Sequence, residues 1–152
     1  MKIINEMRLD FPAFAKNEAL ARLVISAFIL PVNPTLEQLA DVKTAVSEAV
    51  TNAIVHGYRD KCGTVRMHAA LYENMALMVE VIDRGCGIAD VRQARQPFYT
   101  TQEGEERSGV GFTVMESFMD SVEVRSEVGR GTTVRMKKLL DAREGEPIAR
   151  QA

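Results

Sequence analysis

Along the chain, apolar residues recur first with a period of two, then of about 3.6, then of two again. The alternation Met7-Arg8-Leu9-Asp10-Phe11 predicts an opening strand, stopped by Pro12. A helix is expected from about Asn17, as N-cap, to about Leu30, before Pro31. Thr35 and Gln38 form a T-x-x-Q capping box that opens a long helix closed by Gly57. Its apolar side is Leu39, Val42, Val46, Ala49, Val50 and Ala53, with Asp41, Glu48 and Asn52 roughly opposite. From Gly63 the pattern changes, and residues 64–72 and 75–82 read as strands joined at Glu73-Asn74. A Gly-rich stretch, DRGCGIAD, leads into a short helix at 91–95 and the long polar run QPFYTTQEGEERSGVG. Connections that long are more often functional than idle. A helix over 111–119 and a hairpin of strands 121–126 and 132–138, turning at Val128-Gly129-Arg130-Gly131, complete the pattern.

Helices between pairs of adjacent strands imply a two-layer α/β (α+β) sandwich: a mixed, mostly antiparallel sheet with its helices on one face. One domain is expected over 1–140, followed by a charged, flexible tail at 141–152. Composition agrees, because 152 residues with 46% hydrophobic and 26% charged side chains suffice for one real core. A formal net charge of -2 gives no reason to expect nucleic acid or an anionic membrane as partner. The longest apolar region, residues 20–32, is broken by Arg22 and Ser26 and is too short for a bilayer. MKIINEMRLD holds no apolar stretch long enough for a signal peptide. Cys62 and Cys86 match no metal spacing and make a sparse disulfide framework, so a cytoplasmic, reduced setting is expected.

The candidate chemistry begins in VSEAVTNAIVHG, where Glu48 and Asn52 lie four positions apart on one helical face. Taken alone, such a pair is more often a solvated surface. Gly85-Cys-Gly87 and Gly109-Val-Gly111 each begin a dinucleotide fingerprint, but Asp90 and Val114 hold the third glycine positions. No P-loop and no H-R-D or D-F-G element occurs, which excludes those nucleotide-binding and kinase classes. What remains is an ordered set: Glu48 with Asn52 on a helix, Asp83-x-Gly85-x-Gly87 after a strand, Gly109-Val-Gly111 before a helix, and Gly131-Thr132-Thr133 opening the last strand.

Together these resemble the four nucleotide-binding boxes of the ATPase superfamily of gyrase, Hsp90, histidine kinases and MutL. The Asn52 carbonyl suits a hard cation such as Mg²⁺, and Glu48, one turn earlier, could accept a proton from an attacking hydroxyl. Asp83 could accept from an adenine amino group, with Gly85 and Gly87 letting the backbone approach the base. Gly109 and Gly111 would offer backbone N–H groups and a helix N-terminus to phosphate. Thr132 or Thr133 could reach the adenine side. Residues 98–108 would cover the phosphates, with Thr100, Thr101, Arg107 and Ser108 among the nucleotide contacts. His56 is assigned to capping or packing, Cys86 shows no activating neighbour, and the scattered Met residues fill core gaps.

The runs TAVSEAVTNAIVHGY, VRQARQPFYTTQE, ERSGVGFTVMESFMD and SEVGRGTTVRMKK are similar to the anti-sigma-factor serine kinase family, its sporulation branch in particular. That resemblance spans roughly residues 5–139. It implies a homodimer that binds ATP or ADP with Mg²⁺ and holds a sporulation sigma factor, sigma F, away from RNA polymerase. It also implies phosphorylation of an anti-anti-sigma partner on serine, with Glu48 as base, Asn52 as Mg²⁺ ligand and Asp83 as adenine reader. Two departures stand out: Gln102 follows the paired threonines where the family has lysine, and the connection after Gly57 is short. A general-stress anti-sigma kinase and a nucleotide-gated binding module without phosphotransfer are the alternatives. The first helix, with Arg22 on its polar side, is a candidate partner surface.

Overall fold

A computed structural model describes residues 1–59, 61–97 and 111–141. Five strands, β1 (Ile3–Pro12), β2 (Thr64–Tyr72), β3 (Ala76–Asp83), β4 (Ser121–Glu127) and β5 (Gly131–Leu139), form one sheet in the order β1-β2-β3-β5-β4. The helices are α1 (Asn17–Ile29), α2 (Leu36–Asn52), a single turn α3 (Val91–Ala94) and α4 (Gly111–Phe118). A 3₁₀ turn, Leu30–Val32, follows α1, and a π-helical turn, Ala53–Gly57, continues α2.

The two-layer sandwich expected from the sequence is the fold observed, and the mixed sheet resolves as antiparallel at all four pairings. One face of the sheet, with Val65, Met67, Leu71, Leu77, Val79, Val81, Val134 and Met136, shares a single core with α1, α2 and α4. The other face is charged. Across it Asp10 accepts two bonds from Arg66, whose guanidinium holds that carboxyl below its ordinary range, and His68 lies 3.2 Å from Glu80. An exposed strand-to-strand ion pair such as Asp10–Arg66 adds little stability.

Local chemistry explains most boundaries. The Thr35 hydroxyl accepts from Gln38 N–H at 3.1 Å, and the Gln38 side chain accepts from Thr35 N–H at 3.2 Å, a complete capping box. Gln38 also accepts from the Asp141 N–H at 3.2 Å, so the first residue of the expected tail is tied to the start of α2. Replacing Thr35 with alanine should therefore cost about 1 kcal/mol. In a thermal melt that appears as a fall in Tm of roughly 2–4 °C.

Three expectations needed correction. Strand β1 starts at Ile3 and includes Pro12, because β2 continues to pair with it as far as Pro12 opposite Thr64. Pro12 is tolerated there because it is the terminal residue of an edge strand. Asn17 is the first residue of α1 rather than its cap: Lys16 precedes it without a side-chain cap, and Asn17 Nδ2 donates back to the Pro12 carbonyl at 2.8 Å. Gly57 closes the π-helical turn without a left-handed φ, and its lack of a side chain makes room for Asp83.

Candidate functional site

Helix α2 is the spine of the site. Val42, Ala45, Val46, Ala49 and Val50 are buried in the core, as the 3.6 period requires. The stripe Asp41, Glu48, Asn52 is not a solvated face, since all three are only part-exposed and α2 packs against α4. Asp41 lies 3.5 Å from Lys138 on β5. Glu48 and Asn52 converge on the first residue of α4. A Cβ placed on Gly111 would stand 3.1 Å from Asn52 Nδ2, 3.2 Å from Asn52 Oδ1 and 3.3 Å from Glu48 Oε2. The missing side chain thus leaves a cradle bounded by a carboxylate, an amide and the start of a helix. Of the other residues expected at this end, Thr100, Thr101, Arg107, Ser108 and Gly109, like Gln102 and the 98–108 cover as a whole, lie outside the described residues.

The π-helical turn carries the same helix to a second cluster. Turns of that kind recur at functional sites, and this one brings Gly57 against the side chain of Asp83. A Cβ on Gly57 would lie 2.8 Å from Asp83 Cγ. The Asp83 carboxyl is buried, at 6% exposure, and accepts from the backbone N–H groups of Gly85, at 2.9 Å, and Thr132. Burial raises its pKa above the ordinary 3.8, and those two hydrogen bonds only partly offset the rise. Two N–H donors leave a carboxylate with unused lone pairs for a further donor.

Three backbone segments meet around Asp83, and glycine permits it. A Cβ on Gly85 would stand 2.0 Å from the Gly57 carbonyl oxygen, and one on Gly131 would stand 2.1 Å from the Asp83 carbonyl oxygen. Gly131 also has φ +113, which side chains rarely adopt. Gly87 sits against the Glu127 carbonyl, placing it at the β4–β5 turn. Cys86 stitches these segments together: its N–H donates to Gly57 O and its carbonyl accepts from Gly129 N–H, both at 2.8 Å. Its thiol donates to the His56 carbonyl.

The two threonines after Gly131 separate. Thr132 is directly opposite Asp83 in the β3–β5 register and is buried on the core face. Thr133 points to the other face, where it lines a polar cavity of about 170 Å³ with Glu80, Glu123, Arg125 and Arg135. The expectation that either could serve the base side is therefore corrected for Thr133, because consecutive strand side chains alternate.

Two residues were missed. The Tyr58 hydroxyl donates to Thr64 O at 2.6 Å and accepts from Arg84 N–H at 2.8 Å, locking the helix end to the residue after Asp83. The Ser126 hydroxyl sits among Ile88 N–H, Gly131 O and the Thr132 hydroxyl. A signal for Ser126 existed, since the alternation Val122, Val124, Ser126 places a polar residue on the inward face of a strand.

A carboxylate and an amide on the last turns of a helix, with a buried Asp in a glycine cradle just beyond that helix, fit a nucleotide-binding domain, and the comparisons with known proteins agree. The family model described as "Histidine kinase-like ATPase domain" matches residues 11–138. The chain is 50% identical over 140 residues to the anti-sigma F factor of Thermoanaerobacter sp. (strain X514), covering 92% of this chain and 97% of that protein. It is 52% identical over 134 residues to the anti-sigma F factor of Clostridium acetobutylicum, covering 88% and 93%. The chain belongs to the anti-sigma F factor family. Among solved structures, the RsbU and RsbW domains of Rv1364c from Mycobacterium tuberculosis share the fold, with a TM-score of 0.67 at 21% identity, over 93% of this chain and 34% of that one. Among the described residues, no helix is long and apolar enough to cross a membrane.

Proposed function

We propose that the chain binds ATP and ADP, with adenine at Asp83 and the phosphates at the start of α4, and transfers the ATP γ-phosphate to a serine of an anti-anti-sigma protein. The observation that carries this reading is the convergence of Glu48 and Asn52 on Gly111. The Asn52 amide oxygen would hold Mg²⁺, and the ion, when bound, would supply charge neutralisation at the transferring group. Glu48, on the same cradle, takes the proton of the attacking serine hydroxyl. A pure binding module has little use for a general base at that position.

The relatives' name supports sigma F as the protein held. A homodimer in the cytoplasm is part of the same proposal. Helix α1 and the turn after it offer the surface: Leu20 and Leu23 on α1 and Leu30 in the 3₁₀ turn are exposed, and Arg22 is held by Glu18, which also accepts from Ser47 on α2. Exposed apolar residues beside a positioned cation suit a protein partner.

The test is transfer of label from γ-labelled ATP to the partner's serine. Label is expected with Mg²⁺ present, and chelation of the ion should bring transfer to background. No label at full Mg-ATP occupancy and partner binding would leave a nucleotide-gated binding module. Preference for a general-stress sigma factor over sigma F in a competition assay would reassign the partner.

A further inference from the structure

We propose that Ser126 is a positioning residue that fixes the hydroxyl of Thr132 as an acceptor, so that the base end of the site selects a 6-amino purine over a 6-oxo purine. The proposal rests on the reading that adenine lies at Asp83. Its basis is a count of protons. Ser126 Oγ has one hydrogen and two lone pairs. Ile88 N–H donates to it at 2.7 Å, Gly131 O lies 3.0 Å away, and Thr132 Oγ1 lies 2.8 Å away. A carbonyl can only accept, so the Ser126 hydrogen goes to Gly131 O. The Thr132 hydrogen must then point at Ser126, and all three partners are satisfied at once in no other arrangement.

The consequence falls on the face Thr132 shares with Asp83, its cross-strand partner. With its hydrogen committed, Thr132 Oγ1 offers only lone pairs. The Asp83 carboxylate likewise offers only lone pairs, its two backbone donors being Gly85 and Thr132 N–H. Two acceptors side by side suit an exocyclic amine, which carries two N–H donors, and oppose a carbonyl oxygen in its place. A free Thr132 hydroxyl could rotate and donate to that oxygen. Ser126 prevents the rotation without itself needing to touch the base.

The experiment compares the dissociation constants of ATP and ITP, which differ at this position of the ring, for the intact protein, Ser126→Ala, Ser126→Thr and Thr132→Val. The intact protein should favour ATP, and Ser126→Ala should lower the ATP-over-ITP ratio about tenfold, the effect of about one hydrogen bond to a buried group. Ser126→Thr, which keeps the hydroxyl, should restore the ratio. Thr132→Val should also lower it, and the double variant Ser126→Ala with Thr132→Val should add nothing further. Equal weakening of ATP and ITP in Ser126→Ala would mean a merely structural residue and overturn the proposal. Failure of the intact protein to bind ATP would overturn the nucleotide reading itself, a separate result.

Discussion

Glu48→Gln is expected to reduce serine phosphorylation by roughly 10²–10⁴-fold, the usual contribution of a positioned general base, while leaving nucleotide affinity near that of the intact protein. The separation follows from the geometry. Glu48 borders the cradle at Gly111, whereas the base-reading group, Asp83, sits against Gly57, at the close of the π-helical turn that follows α2. Glu48 and Gly57 are nine positions apart, which at the helical rise is on the order of 13 Å. Glutamine keeps the shape of the side chain and one acceptor oxygen, and removes its charge and its basicity. Single-turnover transfer at saturating Mg-ATP measures the chemical step directly. A large fall in rate at unchanged nucleotide occupancy identifies the base. A rate within a few fold of the intact protein would show that Glu48 only shapes the cradle, and the proton would have to leave by another route.

That cradle shows which parts of the molecule were written locally. The Thr35–Gln38 capping box, the buried stripe of α2 and both hairpins depend on neighbours a few residues apart, and each was legible in the sequence. So was the pairing of Glu48 with Asn52, because helical spacing alone puts them on one face. The surroundings of that pair were not. Whether the stripe meets water or another helix is decided by α4, which is more than fifty residues downstream. The same holds for Gly57: as a helix stop it is visible, but its real constraint is the Asp83 side chain, reached only through the sheet. The π-helical turn has no composition of its own to announce it. Asn17 misled because asparagine also serves short loops, and here its amide bonds to the strand behind it. The Thr132–Thr133 ambiguity was resolvable from alternation alone, once Asp83 was known to face the core.

Asp83→Asn should produce two changes of opposite sign. Affinity for ATP should fall roughly 10- to 100-fold, since a hydrogen bond to a charged group is lost and an amide N–H₂ would face the amino group of the base. Without ligand, the variant should melt at a higher temperature than the intact protein at pH 7. The reason lies in the buried carboxyl, whose pKa stands above its unfolded value of 3.8 because burial disfavours the charge. Between the unfolded and the raised native pKa, the folded protein binds a proton that the unfolded chain releases. Folding stability therefore declines as pH rises through that window and stays reduced above it. Asparagine has no proton to lose and still accepts from Gly85 N–H through its one oxygen, so it avoids that decline. The advantage in Tm should shrink as pH falls back through the window and vanish below about 3.8. Each kcal/mol recovered corresponds to about 2–4 °C in a chain of this size. Differential scanning fluorimetry across pH, with and without ATP, reads both effects together. A variant that melts lower at every pH would mean that Asp83 serves the fold, whereas a higher Tm with a lost ATP shift means that the fold gives up stability there to read a base.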